Sequence, residues 1–265
     1  MPVPGYRFFA TAVFALLTED CSSGSTPSAV DPSTSAPAPA AHDVILWQDD
    51  FNKPSLSALV APYATRGEQL LAADGRTGTA IRFPYSDSSY DNLIEREFDA
   101  TPDVYFRFWY RTSPGADPSC AGRNDSGIKW FMAWRRDGEP RYTMSATNAD
   151  GAPYQGRANA GLEFTSHDNS SVRQPAQMLS NIDHGVRLST TNDGRWHEYT
   201  LHIRTGDEGY EQIWVDGVRV LDSHGLGYDH SAVGISMFQM PGAMVRWFPG
   251  CDFHIDIDDL VVWRR

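Results

Sequence analysis

The stretch Val104–Arg111 holds the densest set of side chains able to do chemistry. Its odd positions are Tyr105, Arg107, Trp109 and Arg111, and an extended chain would put all four on one face. Sugar rings stack their C–H faces on Trp and Tyr, while Arg and Lys pair with uronate carboxylates. Such a face suits a polysaccharide groove. Lys129 and Arg135 on the next strand, and Trp214 with Tyr210 and Gln212, are expected to extend it. The alternative is that these residues only pack, covering a sheet with stacked rings and salt bridges.

Elimination on a uronate needs a cation for the carboxylate, a base for the C5 proton and a donor for the leaving oxygen. Arg107, Arg111, Lys129 or Arg135 could be the cation. His167 or His184, with Tyr105, Tyr142 or Tyr154, could fill the other roles, and the residues leave that choice open. Hydrolysis needs two carboxylates at a fixed separation. The nearest run is Glu95-Arg96-Glu97-Phe98-Asp99, where acids alternate. His197 falls on the apolar side of its strand and reads as a core histidine.

The elements that must position these groups are strands. After Pro54 no segment carries a sustained 3.6-residue apolar stripe. Short alternating runs at 44–50, 79–85, 93–98, 104–111, 127–136, 141–147, 161–165, 196–204, 210–215, 218–221, 233–240 and 253–263 are separated by Gly, Pro, Asn and Asp. Asp216-Gly217 between two apolar runs predicts a tight hairpin, whose turn needs positive φ at both residues. In 104–111 the even positions Val104, Phe106, Phe108 and Tyr110 are apolar, and a similar split recurs in 196–204. One apolar face and one wet face is the antiparallel sandwich pattern. The polar span between Thr165 and Trp196 is long enough to suggest a functional or a disordered loop.

The amino terminus reads as an export signal, covering residues 1–21. Arg7 precedes the apolar run Phe8–Leu17, which is too short to span a bilayer. Cys21 follows, then a Ser/Pro/Ala-rich tether over 22–41 that cannot bury enough apolar surface to order itself. That order resembles a bacterial lipoprotein and implies lipidation at Cys21. Glu19 and Asp20 depart from the small residues usual before such a cysteine, so plain secretion or an uncleaved anchor stays open. Export places the protein in the periplasm, on the cell surface or outside. In an oxidising compartment Cys120 and Cys251 read as one disulfide between loops, with two free thiols as the alternative. The net charge of −12 argues against nucleic acid as a partner, because phosphate recognition needs a basic footprint.

Three stretches, DVYFRFWYRTSPG with GIKWFMAWRR, DGRWHEYTLHIR with GYEQIWVDGVRVLD, and FHIDIDDLVVWRR, resemble concanavalin A-like lectin/glucanase domains. They are nearest the bacterial heparin-lyase-type polysaccharide lyases. The resemblance covers most of residues 42–265 and implies an all-β, antiparallel β-sandwich of the jelly-roll kind. It says little about activity, because that fold hosts lectins, hydrolases, lyases and adhesion modules. The RxExR and QxH patterns of alginate-lyase-type jelly rolls are absent, as is the ExDxxE of the hydrolases. First and last strands adjoin in this fold, so Asp50, Asp258 and Asp259, with Asp49 and Asp256, are candidates for a structural Ca²⁺ site. An acidic edge that discourages strand pairing is the alternative. The expected function is an exported polysaccharide-binding protein. A uronate-cleaving lyase, or a membrane-tethered accessory subunit docking other proteins, are the alternatives.

Overall fold

The alternation in residues 104–111 becomes strand β6 (Asp103–Thr112), whose Val104, Phe106, Phe108 and Tyr110 are buried. The computed structural model describes residues 35–86, 92–113, 127–134, 141–147, 159–164, 179–180, 193–206, 209–224, 234–241 and 252–265. Around β6 the chain forms two antiparallel sheets. The first has eight strands in the order β13 (Val218–His224), β12 (Tyr210–Val215), β11 (His197–Arg204), β6, β15 (Phe253–Arg264), β4 (Ala80–Tyr85) and β3 (Leu70–Ala72). Its eighth strand, β1 (Val44–Asp49), pairs with β15. The second has seven: β10 (Leu179–Ser180), β9 (Asn159–Phe164), β8 (Arg141–Thr147), β7 (Gly127–Trp134), β14 (Ile235–Met240), β5 (Leu93–Thr101) and β2 (Ala64–Arg66).

The facing sides of the two sheets share one core. Phe106 of the first sheet meets Phe131 of the second edge-on at 4.8 Å, and Phe108 stacks on both Phe131 and Tyr199. Each such ring removed from water contributes about 1.5–3 kcal/mol, so the inward row of β6 does much to hold the layers together. This is the expected β-sandwich, and every strand read from the sequence has its counterpart.

Asp216 and Gly217 join β12 to β13 with φ of 50° and 79°, as the hairpin turn requires. Three short strands, β2, β3 and β10, had no legible pattern, nor did helix α1 (Leu56–Val60), which Ser55 caps by accepting the Ala58 amide.

One expectation fails on topology. Strand β7 follows β6 in sequence but lies in the opposite sheet, between β8 and β14. The chain crosses from one layer to the other between them, so Lys129 does not extend the face of β6. Cys21, Cys120, Cys251 and Arg135 lie outside the described residues, as do His167, His184 and Tyr154.

Candidate functional site

The outward face of the first sheet divides into three zones along β6. At one end Tyr105 is only 3% exposed. Its ring stacks on His202 at 3.7 Å and on Trp263 at 5.0 Å. His202 is held in turn by Asp103 at 2.7 Å and the Tyr210 hydroxyl at 3.0 Å. Trp214 on β12 is 4% exposed. Both aromatic residues were expected in the groove, and both instead fill space. Rings from neighbouring strands cover Tyr105.

At the other end Arg111 is committed to structure. Asp256 on β15 is fully buried and accepts from Arg82 (Nε 2.7 Å, Nη2 2.9 Å) and from Arg111 (Nε 3.0 Å, Nη2 2.6 Å). Asp74 closes the ring, 2.9 Å from Arg111 and 3.2 Å from Arg82, and Arg111 also lies 4.5 Å over the Trp196 ring. Four charges here neutralise one another, which is the condition for keeping a carboxylate buried. Arg111 is therefore not available to a ligand.

Between these zones lies an open depression of about 700 Å³, lined by Arg107, Trp109, Glu198 and residues from the first strand, the 70s loop and β15. A register irregularity between Asp258 and Val261 bends β15 at this point. Asp259 there takes a φ of 50°, and its carboxylate holds Arg76 at 2.7 Å. The Arg76 guanidinium lies 4.0 Å over the Trp109 ring. On the other side of Trp109, strand register places Glu198 directly opposite, with Thr200 opposite Arg107. Lys53 bridges Asp49 at 2.9 Å and Asp50 at 3.3 Å. Among the described residues, Arg107 and the Glu198 carboxylate are left without a hydrogen bond or ion pair. Sequence reasoning singled out Arg107 and Trp109. It passed over Arg76, a loop residue with no pattern, and saw Glu198 only as one polar residue on a wet face.

Among the described residues no group of three or more His, Cys, Asp or Glu is placed to hold a metal. Asp50 accepts the Asn52 amide and faces Lys53, and the amide first and the ammonium second hold its carboxyl below the usual range. Asp258 accepts the amides of Arg76 (2.8 Å) and Asp259 (2.9 Å), and Asp259 faces Arg76. Burial, then the neighbouring Asp259 charge, pushes Asp258 up to about 6. Asp50, Asp258 and Asp259 are thus each paired with a cation or a backbone amide in this arrangement.

The outward face of the second sheet carries two cross-strand rows, Glu97–Met237–Trp134 and Glu95–Gln239–Met132. Met132, Trp134 and Met237 form a small buried apolar cluster separate from the main core. The alternating acids noted at 95 and 97 thus share one face, beside an amide and a row of apolar side chains.

No protein-family model and no curated protein matches the sequence. Solved structures match over most of the chain. The alginate lyase Aly36B is 15% identical with a TM-score of 0.55, covering 82% of this chain and 96% of its own. The alginate lyase of Aplysia kurodai is 10% identical with a TM-score of 0.55, covering 84% and 100%. The alginate lyase vAL-1 from Chlorella virus is 9% identical with a TM-score of 0.55, again covering 84% and 100%. The chain shares their fold. That agrees with the antiparallel β-sandwich expected from its motifs.

Proposed function

We propose that this is an exported polysaccharide-binding protein that seats a uronate-containing glycan in the depression at Arg107 and Trp109. The observation that carries the proposal is an unpartnered guanidinium beside a half-buried indole in an open, mostly polar hollow. A carboxylate can take the free Arg107 donors as a fork-to-fork pair, and a sugar ring can rest along the Trp109 edge. Among the described residues the lining holds cations and a stacking surface but neither His nor Tyr, which commonly supply the base and donor in elimination.

The accessory-subunit reading has less support. The large apolar residues exposed among the described residues, Val44, Ile45, Leu56, Leu70 and Val218, come from β1, α1 and the opposite edge strands β3 and β13. They do not form one docking patch. A lyase reading draws on the second sheet, where Glu95 and Gln239 adjoin the Met132–Trp134 row.

Calorimetric titration with oligouronates and matched neutral oligosaccharides tests the proposal. Arg107→Ala is expected to weaken uronate binding about tenfold or more, with a smaller loss for neutral glycans that narrows in salt. Trp109→Ala is expected to cost about 1–3 kcal/mol with either. Unchanged affinity in both folded variants overturns the proposal. Accumulation of unsaturated sugar ends during the titration, unaffected by Arg107→Ala, moves the function to a lyase on the second sheet.

A further inference from the structure

Among the described residues, three cations and four carboxylates line the depression: Lys53, Arg76 and Arg107 against Asp49, Asp50, Glu198 and Asp259. Most are spoken for. Lys53 neutralises Asp49 and Asp50 in part, and Arg76 is tied to Asp259 while it stacks on Trp109. The residue of this pairing is one guanidinium, Arg107, and one carboxylate, Glu198. They are diagonal neighbours on adjacent strands, because Glu198 sits opposite Trp109 and Thr200 sits opposite Arg107.

A sugar ring resting along the Trp109 edge lies beside both, since all three residues line the one depression. In the open depression each charge is hydrated, and an exposed pair of this kind gains little by closing on itself. A bound ligand strips that water away. A carboxylate on Arg107 compensates one loss only, and Glu198 is then left desolvated without a partner, which is costly. A pure polyuronate makes this worse, since its next carboxylate meets a hollow with one negative charge in excess. A hydroxyl donor satisfies Glu198 by hydrogen bonding yet leaves that excess charge in place. An ammonium does both.

Resting on the polysaccharide reading above, we infer that the depression selects a zwitterionic glycan, one with a uronate carboxylate for Arg107 and an unsubstituted amino-sugar ammonium for Glu198. Glu198 is the specificity-determining residue. It admits the amine and penalises dense polyanions.

The test uses the full chain and three probes at pH about 6, where the sugar amine is protonated. They are an oligosaccharide of alternating glucuronate and N-acetylglucosamine, the same oligosaccharide after de-N-acetylation, and an oligogalacturonate. The free-amine form is expected to bind about tenfold tighter than its acetylated parent. Glu198→Gln is expected to bring those two within about twofold and to strengthen oligogalacturonate binding. A thermal melt of the variant checks that the hairpin beside Glu198 is intact. If the free amine gives no advantage while oligogalacturonate binds through Arg107, this inference fails and the polysaccharide reading stands. An amine advantage that survives Glu198→Gln also overturns it. If none of the three probes binds the wild type, both fall together.

Discussion

Arg107 and Arg111 stand on the same face of the same strand, two pleat repeats apart, and they meet opposite fates. Arg111 faces Asp256, which is fully buried and already shared with Arg82, so its guanidinium is locked by geometry and neutralised by charge. Arg107 faces Thr200 on one side and Val261 on the other, neither of which carries a charge to pair with it. Identical side chains thus become a structural bolt and a free ligand group according to what the neighbouring strands place opposite. The comparison separates stability from binding along a single strand.

The largest expected effect breaks the locked end. Asp256→Ala removes the anion between two guanidiniums and should cost about 3–5 kcal/mol, read as a lowered urea midpoint. Arg107→Ala should leave that midpoint within about 0.5 kcal/mol of wild type, since no partner is lost. If the two variants lose stability equally, the division of the face into a locked zone and an open one is wrong.

A second contrast sets Asp256 against Glu211, another carboxyl with no exposure. Glu211 lies on β12 on the same side as Ile213 and Val215, toward the core, and neither of its oxygens has a hydrogen-bond partner. Burial drives its carboxyl well above the ordinary range. A folded pKa above the unfolded one means the native state keeps a proton that the unfolded chain releases. Glu211 therefore favours the fold least where it must ionise, and its effect turns against stability as pH rises above about 4.5. Glu211→Met should raise stability at neutral pH by about 1–3 kcal/mol, because an unpartnered polar group leaves the core. It should also flatten the decline in stability between acid and neutral pH. A destabilised Glu211→Met, with the decline unchanged, would show that the carboxyl is satisfied in solution.

How much of this was legible before the structure depended on whether it was local. The inward row of Val104, Phe106, Phe108 and Tyr110 needs only alternation, and Asp216-Gly217 needs only a turn rule. The fate of the outward row does not follow from alternation. Tyr105 is buried because Trp263 and His202 arrive beside it from β15 and β11, which only the strand register reveals. The Asp256 cluster likewise joins residues 145 and 174 positions apart. Lys129 was misplaced because nearness in sequence does not determine which layer a strand joins. Glu198 was visible as a polar residue on a wet face, yet its lack of a partner, the property that makes it interesting, is a fact about three strands together.

The smallest expected effect concerns His197, which the apolar alternation of its strand assigned to the core. It sits instead at the rim, where β11 begins, held between two carboxylates. Its Nδ1 is 2.7 Å from Asp216 and its Nε2 is 3.0 Å from Asp193. Asp216 belongs to the β12–β13 turn and also accepts the Glu198 amide at 2.9 Å, so the imidazolium ties that turn to the strand carrying Glu198. Partial burial pulls its pKa down, but the hydrogen bonds to Asp216 and Asp193 outweigh it, and the net shift is upward. A histidine whose folded pKa is raised contributes stability that is complete below its unfolded pKa, about 6.5, and is lost as pH rises through the folded value. Because Asp193 and Asp216 are both in contact with water, the contribution should resemble that of surface pairs, about 0.2–1 kcal/mol. Urea midpoints measured from pH 6 to 9 should fall in the wild type and fall less in His197→Gln, with the difference shrinking in high salt. Parallel curves at all salt concentrations would mean that the imidazole is neutral in the fold and that the rim clamp is a hydrogen bond without charge.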